Sequence, residues 1–415
     1  MIKNLLLATM LSIFTAGQVS ATDVINLHTT KSIGSTFSFA VEKVGKIQIV
    51  GGSNIQNSND TTYTFTTTSS NITISAPTIT WFSCGHNQIT SLDVTNAPSL
   101  ITLDCVGNGI SSLNLTQNTA LETLMCSGNT QLGGTLNLTS NTALKELGCS
   151  GCPISNISLP TNNSLEILWV SSCPNLTGLS LNSMPALNTL ACNNTPIQGL
   201  DLSNNTNLQY LYCQNTNLTT VNVANNTSLR ELWCNDNSLS SLDVTGASNL
   251  TDLYCANCNL SQLSVANCTS LERLFCQHNN IDTTALTNLI NSLPYHQPTQ
   301  PNWNLYEFCY YDSRAGQEGN DTPTTAQISS CYNKGWTPKY IYLDPTYNYP
   351  MWVPFENPNR SRSMNQNGTQ TTEIRSIADI NANDHSLWYD MQGRCMKKPT
   401  RSGLYIHNGK KVIIK

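Results

Sequence analysis

The groups in this 415-residue chain best suited to chemistry are its 16 cysteines, and their spacing limits what they can do. Nine fall at Cys84, Cys105, Cys126, Cys149, Cys192, Cys213, Cys234, Cys255 and Cys276, with Val170 filling the one gap, so the steps are 21, 21, 23, 21, 22, 21, 21, 21 and 21 residues. A zinc site needs four ligands around a point. A row of single thiols does not supply that, so no metal site is expected. A disulfide needs side chains aimed at one another, whereas members of an in-register ladder point alongside one another. The ladder thiols therefore read as free, buried, small hydrophobes, even though this many cysteines, were the chain exported, would ordinarily suggest a disulfide framework. Cys152, Cys173 and Cys258 share a second repeat position and Cys268 lies in a turn, which makes them structural too. Cys309 and Cys331, beyond the repeats, are the better disulfide candidates.

Other reactive groups are sparse. His86 and His278 occupy the same repeat position nine copies apart, roughly 40 Å at about 4.8 Å per strand, and cannot share a site. Glu231 and Asp252 are spaced to approach as paired carboxylates, the minimum for glycoside hydrolysis. On a shallow, wet face they read instead as solvated partners of Arg230 or Arg273. There is no Gly-x-Ser-x-Gly elbow, His-Glu-x-x-His pair or phosphate-cradling glycine loop, so neither an enzyme nor a cofactor is expected. With 11% charged residues, a net charge of -5 and a pI near 5.7, the chain also lacks the basic field that a nucleic-acid partner requires.

A step this regular is a repeat, and at this length it means a solenoid. Each copy reads Leu-x-x-Leu-x-Cys-x-x-Asn-x-Leu-x-x-Leu-x-Val, cleanest at Leu229, Leu232, Cys234, Asn237, Leu239, Leu242 and Val244. Alternation across a short strand puts Leu232 and Cys234 inside and Glu231 and Trp233 outside. The Asn position, held by Asn87, Asn108, Asn129, Asn237 and Asn279, turns the chain and can bond backbone groups otherwise buried without partners. The second half of each copy, such as Leu242-Asp243-Val244, is a shorter extended piece with no room for a full helix. The repeat resembles the leucine-rich repeat family, in a bacterial form where Cys replaces the third leucine. The expected fold is mainly β: a leucine-rich repeat solenoid of about ten 21-residue repeats over residues 78–281, with an N-terminal β cap, an α+β C-terminal cap and a small C-terminal β segment.

The flanks follow from composition and pattern. Residues 1–21 read as a signal peptide, with Lys3, an apolar run from Leu5 to Ala16 and a small-residue cleavage site at Val19-Ser20-Ala21. That run is about half of the ~20 residues a membrane span requires, and no later stretch approaches it, so no transmembrane anchor is expected. Residues 22–77 alternate short apolar runs with Gly, Asn and Ser turns, the spacing of strands, and read as a cap over the open end of the solenoid; a separate binding module is the alternative. Residues 282–344 form the second cap: a helix opened by Asp282 and stopped by Pro294, a second near Thr325 to Lys334, and strands about Trp303–Tyr311 and Tyr340–Leu343. Lys334-Gly335-Trp336 resembles an element that often ends leucine-rich repeat proteins of Bacteroidetes. Residues 345–373 read as a linker. In 374–415, Tyr389-Asp390, Gly393-Arg394, Gly403-Leu404-Tyr405-Ile406 and the basic end resemble the C-terminal sorting signal of the type IX secretion system of Bacteroidetes. The segment is short for that β-sandwich, and a small stabilising β tail is the alternative. The resemblance implies the secretion machinery as a partner and delivery to the cell surface or medium.

The residue before each ladder position runs Ser83, Asp104, Met125, Gly148, Trp169, Ala191, Tyr212, Trp233, Tyr254, Phe275. Its later half is an aromatic stripe, with Tyr210, Arg230, Glu231, Asp252 and Arg273 beside it. Large apolar area at low entropic loss, with polar groups to orient a ligand, suits a protein- or carbohydrate-binding face; rings one strand apart also stack simply to stabilise a sheet. The expectation is a non-catalytic, adhesin-like surface protein that recognises protein through its concave face. A glycan-binding accessory protein and a structural envelope component are the alternatives.

Overall fold

A computed structural model describes residues 22–161, 164–239, 241–296, 307–312, 319–343, 350–354, 388–389, 395–396, 403–407 and 410–414. Residues 1–21, read as a signal peptide, and most of the stretch read as a linker lie outside them. The chain is a mainly β leucine-rich repeat solenoid, and it divides into two compact units, one of residues 1–144 with 158–160 and one of 145–157 with 161–415.

In the first unit the cap and the first repeat are one structure. Thr36–Val44 pairs antiparallel with Thr78–Ser83, setting Val41 opposite Phe82, while Asp23–Thr29 pairs with Ile89–Asn96, setting Leu27 opposite Leu92. Each half of the first repeat is thus covered by a cap strand. Phe37, Phe39, Tyr63, Phe65 and Phe82 fill the space between, with Phe39 lying 5.4 Å from Tyr63 and 5.6 Å from Phe82 between ring centroids. Buried Asp23 accepts the Ile79 amide at 2.7 Å. The strand Gly52–Asn57, too polar to show as a strand in the sequence, adds an edge beside Thr62–Thr67. Repeat strands Thr78–Ser83, Thr102–Asp104 and Thr123–Met125 then pair in parallel, with Phe82, Leu103 and Leu124 in register.

The second unit continues the pattern through Glu146–Gly148, Ile167–Trp169, Thr189–Ala191, Tyr210–Tyr212, Glu231–Trp233, Asp252–Tyr254 and Arg273–Phe275, all parallel and in register. Leu147, Leu168, Leu190, Leu211, Leu232, Leu253 and Leu274 face inward with no exposure, as do the ladder cysteines and Val170. None of the ladder thiols is tied into a disulfide.

Two polar columns hold the turns. In the first, Asn237 Nδ2 donates to the Cys213 and Cys234 carbonyls at 2.9 and 2.8 Å, and its Oδ1 accepts from the Thr216 and Leu218 amides at 3.1 and 3.0 Å. Asn108 and Asn279 make the same set. Where the residue differs it still donates: Thr195 Oγ1 to the Val170 carbonyl at 2.7 Å, Cys258 Sγ to the Cys234 carbonyl at 3.1 Å. The second column, Asn118, Asn141, Asn205 and Asn226, bonds carbonyls on the opposite side of the turn, as Asn226 does to Leu202 at 3.2 Å and Asn205 at 2.8 Å. The second halves form strands in five repeats, at Ile89–Asn96, Gly134–Asn137, Ile154–Ser158, Thr220–Asn222 and Ser241–Asp243, the last two a parallel pair within the second unit. Elsewhere this side is held by that amide column and by local turns such as Asp243 Oδ1 accepting from the Thr245 amide at 2.9 Å, so it is less regularly β than the repeat pattern suggests.

The residue two after the ladder position is left-handed in repeat after repeat, from His86 (φ 57°) to Asp236 (59°) and His278 (58°). Gly, Asn, Asp and His, which adopt this conformation most readily, fill the position in every repeat but one, where Ser172 (φ 56°) stands. Gly107 (φ 67°) has a further reason, since a Cβ there would lie 2.3 Å from the His86 ring. Both histidines therefore serve as turn residues.

The carboxy-terminal cap adds one more turn by other means. Helix α1 (Thr283–Ser292) is capped by Asp282, which accepts the Ala285 amide at 2.7 Å, and buries Leu286, Leu289 and Ile290. Glu307–Asp312 then pairs in parallel with Arg273–Phe275. Asn320 supplies the next rung of the first amide column, donating to the Cys276 and Tyr310 carbonyls at 3.0 and 2.9 Å. Helix α2 (Thr325–Asn333) opens with a Thr324–Gln327 capping box. Lys334-Gly335-Trp336 closes the cap: Lys334 Nζ donates to the Asn291 and Leu293 carbonyls at the end of α1, both at 2.8 Å, and fully buried Trp336 donates to the Pro294 carbonyl at 2.8 Å. Thr337–Leu343 pairs antiparallel with Pro350–Pro354, so a strand occupies part of the stretch read as linker. Beyond it, Trp388–Tyr389, Cys395–Met396, Gly403–His407 and Lys410–Ile414 form an antiparallel sheet, the last two flanking Asn408-Gly409.

Candidate functional site

The outward side of the parallel sheet in the second unit carries the residues singled out for binding except Arg230, which precedes the strand Glu231–Trp233. Tyr212, Trp233, Tyr254 and Phe275 stand in register on consecutive strands, and each ring meets the next. Tyr212 and Trp233 pack edge to face at 5.4 Å, Trp233 and Tyr254 are tilted at 4.7 Å, and Tyr254 and Phe275 are stacked at 4.5 Å. The rings are half-buried, and their faces are largely spent on one another. Trp233 Nε1 is buried without a hydrogen-bond partner, which leaves an unmet donor worth about 1–3 kcal/mol inside the stripe.

The charges around the stripe are engaged rather than solvated. Asp252, expected at the surface, is only 3% exposed; the Arg273 Nε and the Thr251 hydroxyl, at 2.7 Å, both donate to it. Holding that carboxylate raises the Arg273 pKa further above its already high value. Glu231, in register with Asp252, accepts from the Tyr212 hydroxyl at 3.0 Å. Burial, then that bond to Glu231, pushes the Tyr212 pKa up, and burial raises Tyr254 to about 12. The two carboxylates are thus adjacent but each is committed to a partner. Tyr210 is half-buried two residues before Tyr212, and Arg230 is exposed just before its strand. Beyond Arg273 the row continues with Glu307, bonded to buried Lys339 at 2.5 Å.

Cys309 and Cys331 do not form a disulfide; both are free and buried. Alternation along Glu307–Asp312 explains it. Phe308 and Tyr310 face inward, where Cys331 of α2 joins them around a small apolar cavity. Cys309 is on the other side of the strand, in register with Phe275 and Lys339.

Trp169 stands apart from the stripe. At 36% exposure it is the most open of these rings, and its register neighbours are Gly148 and Ala191. Among the described residues no group of three or more His, Cys, Asp or Glu side chains is placed to hold a metal ion.

No protein-family model matches the chain, and no curated protein matches it. Among solved structures it is similar to the functional domain of InlJ from Listeria monocytogenes, described as including a cysteine ladder, at 21% identity over 60% of this chain and 78% of that one, with a TM-score of 0.29. It is also similar to an internalin, InlF, from Listeria monocytogenes (22% identity, 62% and 79% coverage, TM-score 0.43) and to the leucine-rich repeat domain of APL1B (20%, 51% and 72%, 0.39). These are likenesses of fold alone.

Proposed function

We propose that this is an exported, non-catalytic recognition protein that binds a protein partner with the outward sheet face of its second unit. The observation that carries this reading is the continuous ring stack from Tyr212 to Phe275. Rings whose faces are taken by their neighbours offer an edge-on apolar ridge, which a protein surface can bury as an interface core. Glu231, the Asp252–Arg273 pair and the Glu307–Lys339 pair supply a polar rim that sets register. A sugar ring stacks on an open aromatic face, and the stack offers few.

The test is a binding screen of the mature chain on an array of purified extracellular-matrix proteins, beside a Tyr212→Ala, Trp233→Ala, Tyr254→Ala variant shown to be folded. At about 2 kcal/mol for each central aromatic, the variant should lose at least about a hundredfold in affinity. Hits that persist in the variant, or no hits at all, would return the stripe to sheet stability.

Export to the cell surface is part of the same proposal, supported by the N-terminal pattern and by the resemblance of the C-terminal segment to a sorting signal. No helix among the described residues is long and apolar enough to cross a membrane. Intact-mass measurement of protein recovered from the producing cells should find a mature start near Thr22, and a chain still beginning at Met1 would count against export. The same spectrum shows whether the segment from about Ile374 is removed.

A further inference from the structure

We propose that Trp169 is the platform of a second binding site, for one neutral hexopyranose ring of a glycan. The site shares a sheet face with the stripe but does not depend on the protein-binding reading, because it uses a different ring.

The neighbours of the indole set it apart. Tyr212, Trp233, Tyr254 and Phe275 each have an aromatic neighbour in register, whereas Trp169 has Gly148 on one side and Ala191 on the other. Neither has a side chain that can cover an indole face. Trp169 accordingly makes no ring contact among the described residues, and it is 36% exposed where the four stacked rings are half-buried. Two strand steps, about 9.6 Å, separate its row position from that of Tyr212, with only Ala191 between. That gap admits a single saturated ring.

Polar groups flank the gap in the arrangement that hydroxyls need. Asn193, on the Ala191 side, accepts the Ser171 hydroxyl through Oδ1 at 2.6 Å, which leaves its amide NH2 to donate. Thr189, two residues before Ala191 on the same face of its strand, donates its hydroxyl to Asn188 Oδ1 at 2.9 Å and keeps oxygen lone pairs to accept. A pyranose presents C–H groups on its faces and hydroxyls, each both donor and acceptor, around its edge. An open indole with an amide donor and a hydroxyl acceptor matches both features. The nearest cation in sequence, Lys145, precedes the Gly148 strand on the far side of Trp169 from the gap, and none of residues 167–171 or 189–193 is basic, so the gap itself offers no counter-charge to an acidic sugar and the ligand is a neutral hexose.

The experiment uses the mature chain and soluble gluco-, manno- and galacto-configured hexasaccharides, with saturation-transfer NMR to detect contact and calorimetry to measure affinity. At least one hexasaccharide should bind. Trp169→Ala should weaken it by about tenfold or more, the loss expected when an open aromatic platform is removed. Trp169→Phe should lie between, and Ala191→Trp, which fills the gap while keeping Trp169, should abolish binding. Trp233→Ala should bind like the parent. Repeating the measurement with a glycoprotein array distinguishes a free polysaccharide from a protein-borne glycan as the source of the sugar, and either result upholds the site. No transfer to any hexasaccharide, binding that survives both Trp169→Ala and Ala191→Trp, or a preference for acidic sugars would overturn it. Because Trp169→Ala leaves the stripe intact, it should not alter hits on the matrix-protein array, so the two proposals fail separately.

Discussion

Asn237→Ala is expected to destabilise the protein by about 3–5 kcal/mol, a large effect for the loss of a few atoms. The Asn237 side chain meets two carbonyls, of Cys213 and Cys234, and two amides, of Thr216 and Leu218, and the residue is only 6% exposed. Alanine leaves these groups in a turn closed to water, and each buried, unpaired amide loses about 1–3 kcal/mol. Asn237→Thr should recover part of the loss, because Thr195 fills the equivalent position by donating to the Val170 carbonyl at 2.7 Å and accepting from the Cys173 amide at 3.1 Å. Asn237→Asp should do no better than alanine at neutral pH, since a carboxylate cannot donate to the two carbonyls. Urea denaturation gives the size of the effect. Hydrogen exchange gives its location, with faster exchange expected at Thr216 and Leu218 and in the strands on either side. A loss below about 1 kcal/mol would mean that water replaces the amide.

The second large effect is alkaline unfolding. Cys84, Cys213 and Cys255 are fully buried, and burial pushes their thiols well up; the same cause takes Cys192 and Cys331 to about 12. In the unfolded chain a thiol ionises near pH ~8.5. Because the folded pKa is the higher one, the stabilising contribution is complete below that value and is lost as pH rises toward the folded pKa. Each such thiol then removes about 1.4 kcal/mol per pH unit. Four of them acting together exhaust a typical stability of about 5–15 kcal/mol within roughly one to three units. Tyr212 and Tyr254, also raised by burial, act in the same direction at higher pH. Circular dichroism against pH should show cooperative unfolding beginning between pH ~9 and ~11. Valine already stands in the ladder at fully buried Val170. A Cys192→Val, Cys213→Val, Cys255→Val variant should therefore fold and move the alkaline midpoint upward. An unchanged midpoint would assign the transition to tyrosine and lysine instead.

The columns mark how far local pattern reaches and where it stops. The cysteine period implies parallel strands in register, and the Leu–Cys alternation implies which side chains face inward, because both are consequences of backbone geometry repeated every 21 or so residues. Asp282 as a cap and Leu286, Leu289 and Ile290 as the buried face of a helix are local patterns of the same kind. The second amide column is not legible in this way, although Asn118, Asn141, Asn205 and Asn226 each recur three residues before a leucine. In a chain so rich in asparagine they look like ordinary turn residues until their carbonyl partners in the preceding repeat are seen. Asn320 carries no signal at all, since it completes the first column from 41 residues beyond Asn279, with no period to mark it.

By itself, then, the sequence determined the repeat, the parallel register, the inward ladder and the existence of caps, because each follows from short-range periodicity and strand alternation. It also placed the aromatic row on one face. Only the tertiary structure decided what those residues do there. The face of the strand on which Cys309 lies removed a disulfide. The sheet buried the Asp252 carboxylate beside Arg273, where the sequence had placed a solvated pair. The register set small residues beside Trp169 and rings beside Trp233, so that one indole is open and the other enclosed. The last two outcomes depend on which side chain stands one strand away, a distance of about 4.8 Å in space but some twenty residues or more along the chain, and local sequence carries no record of it.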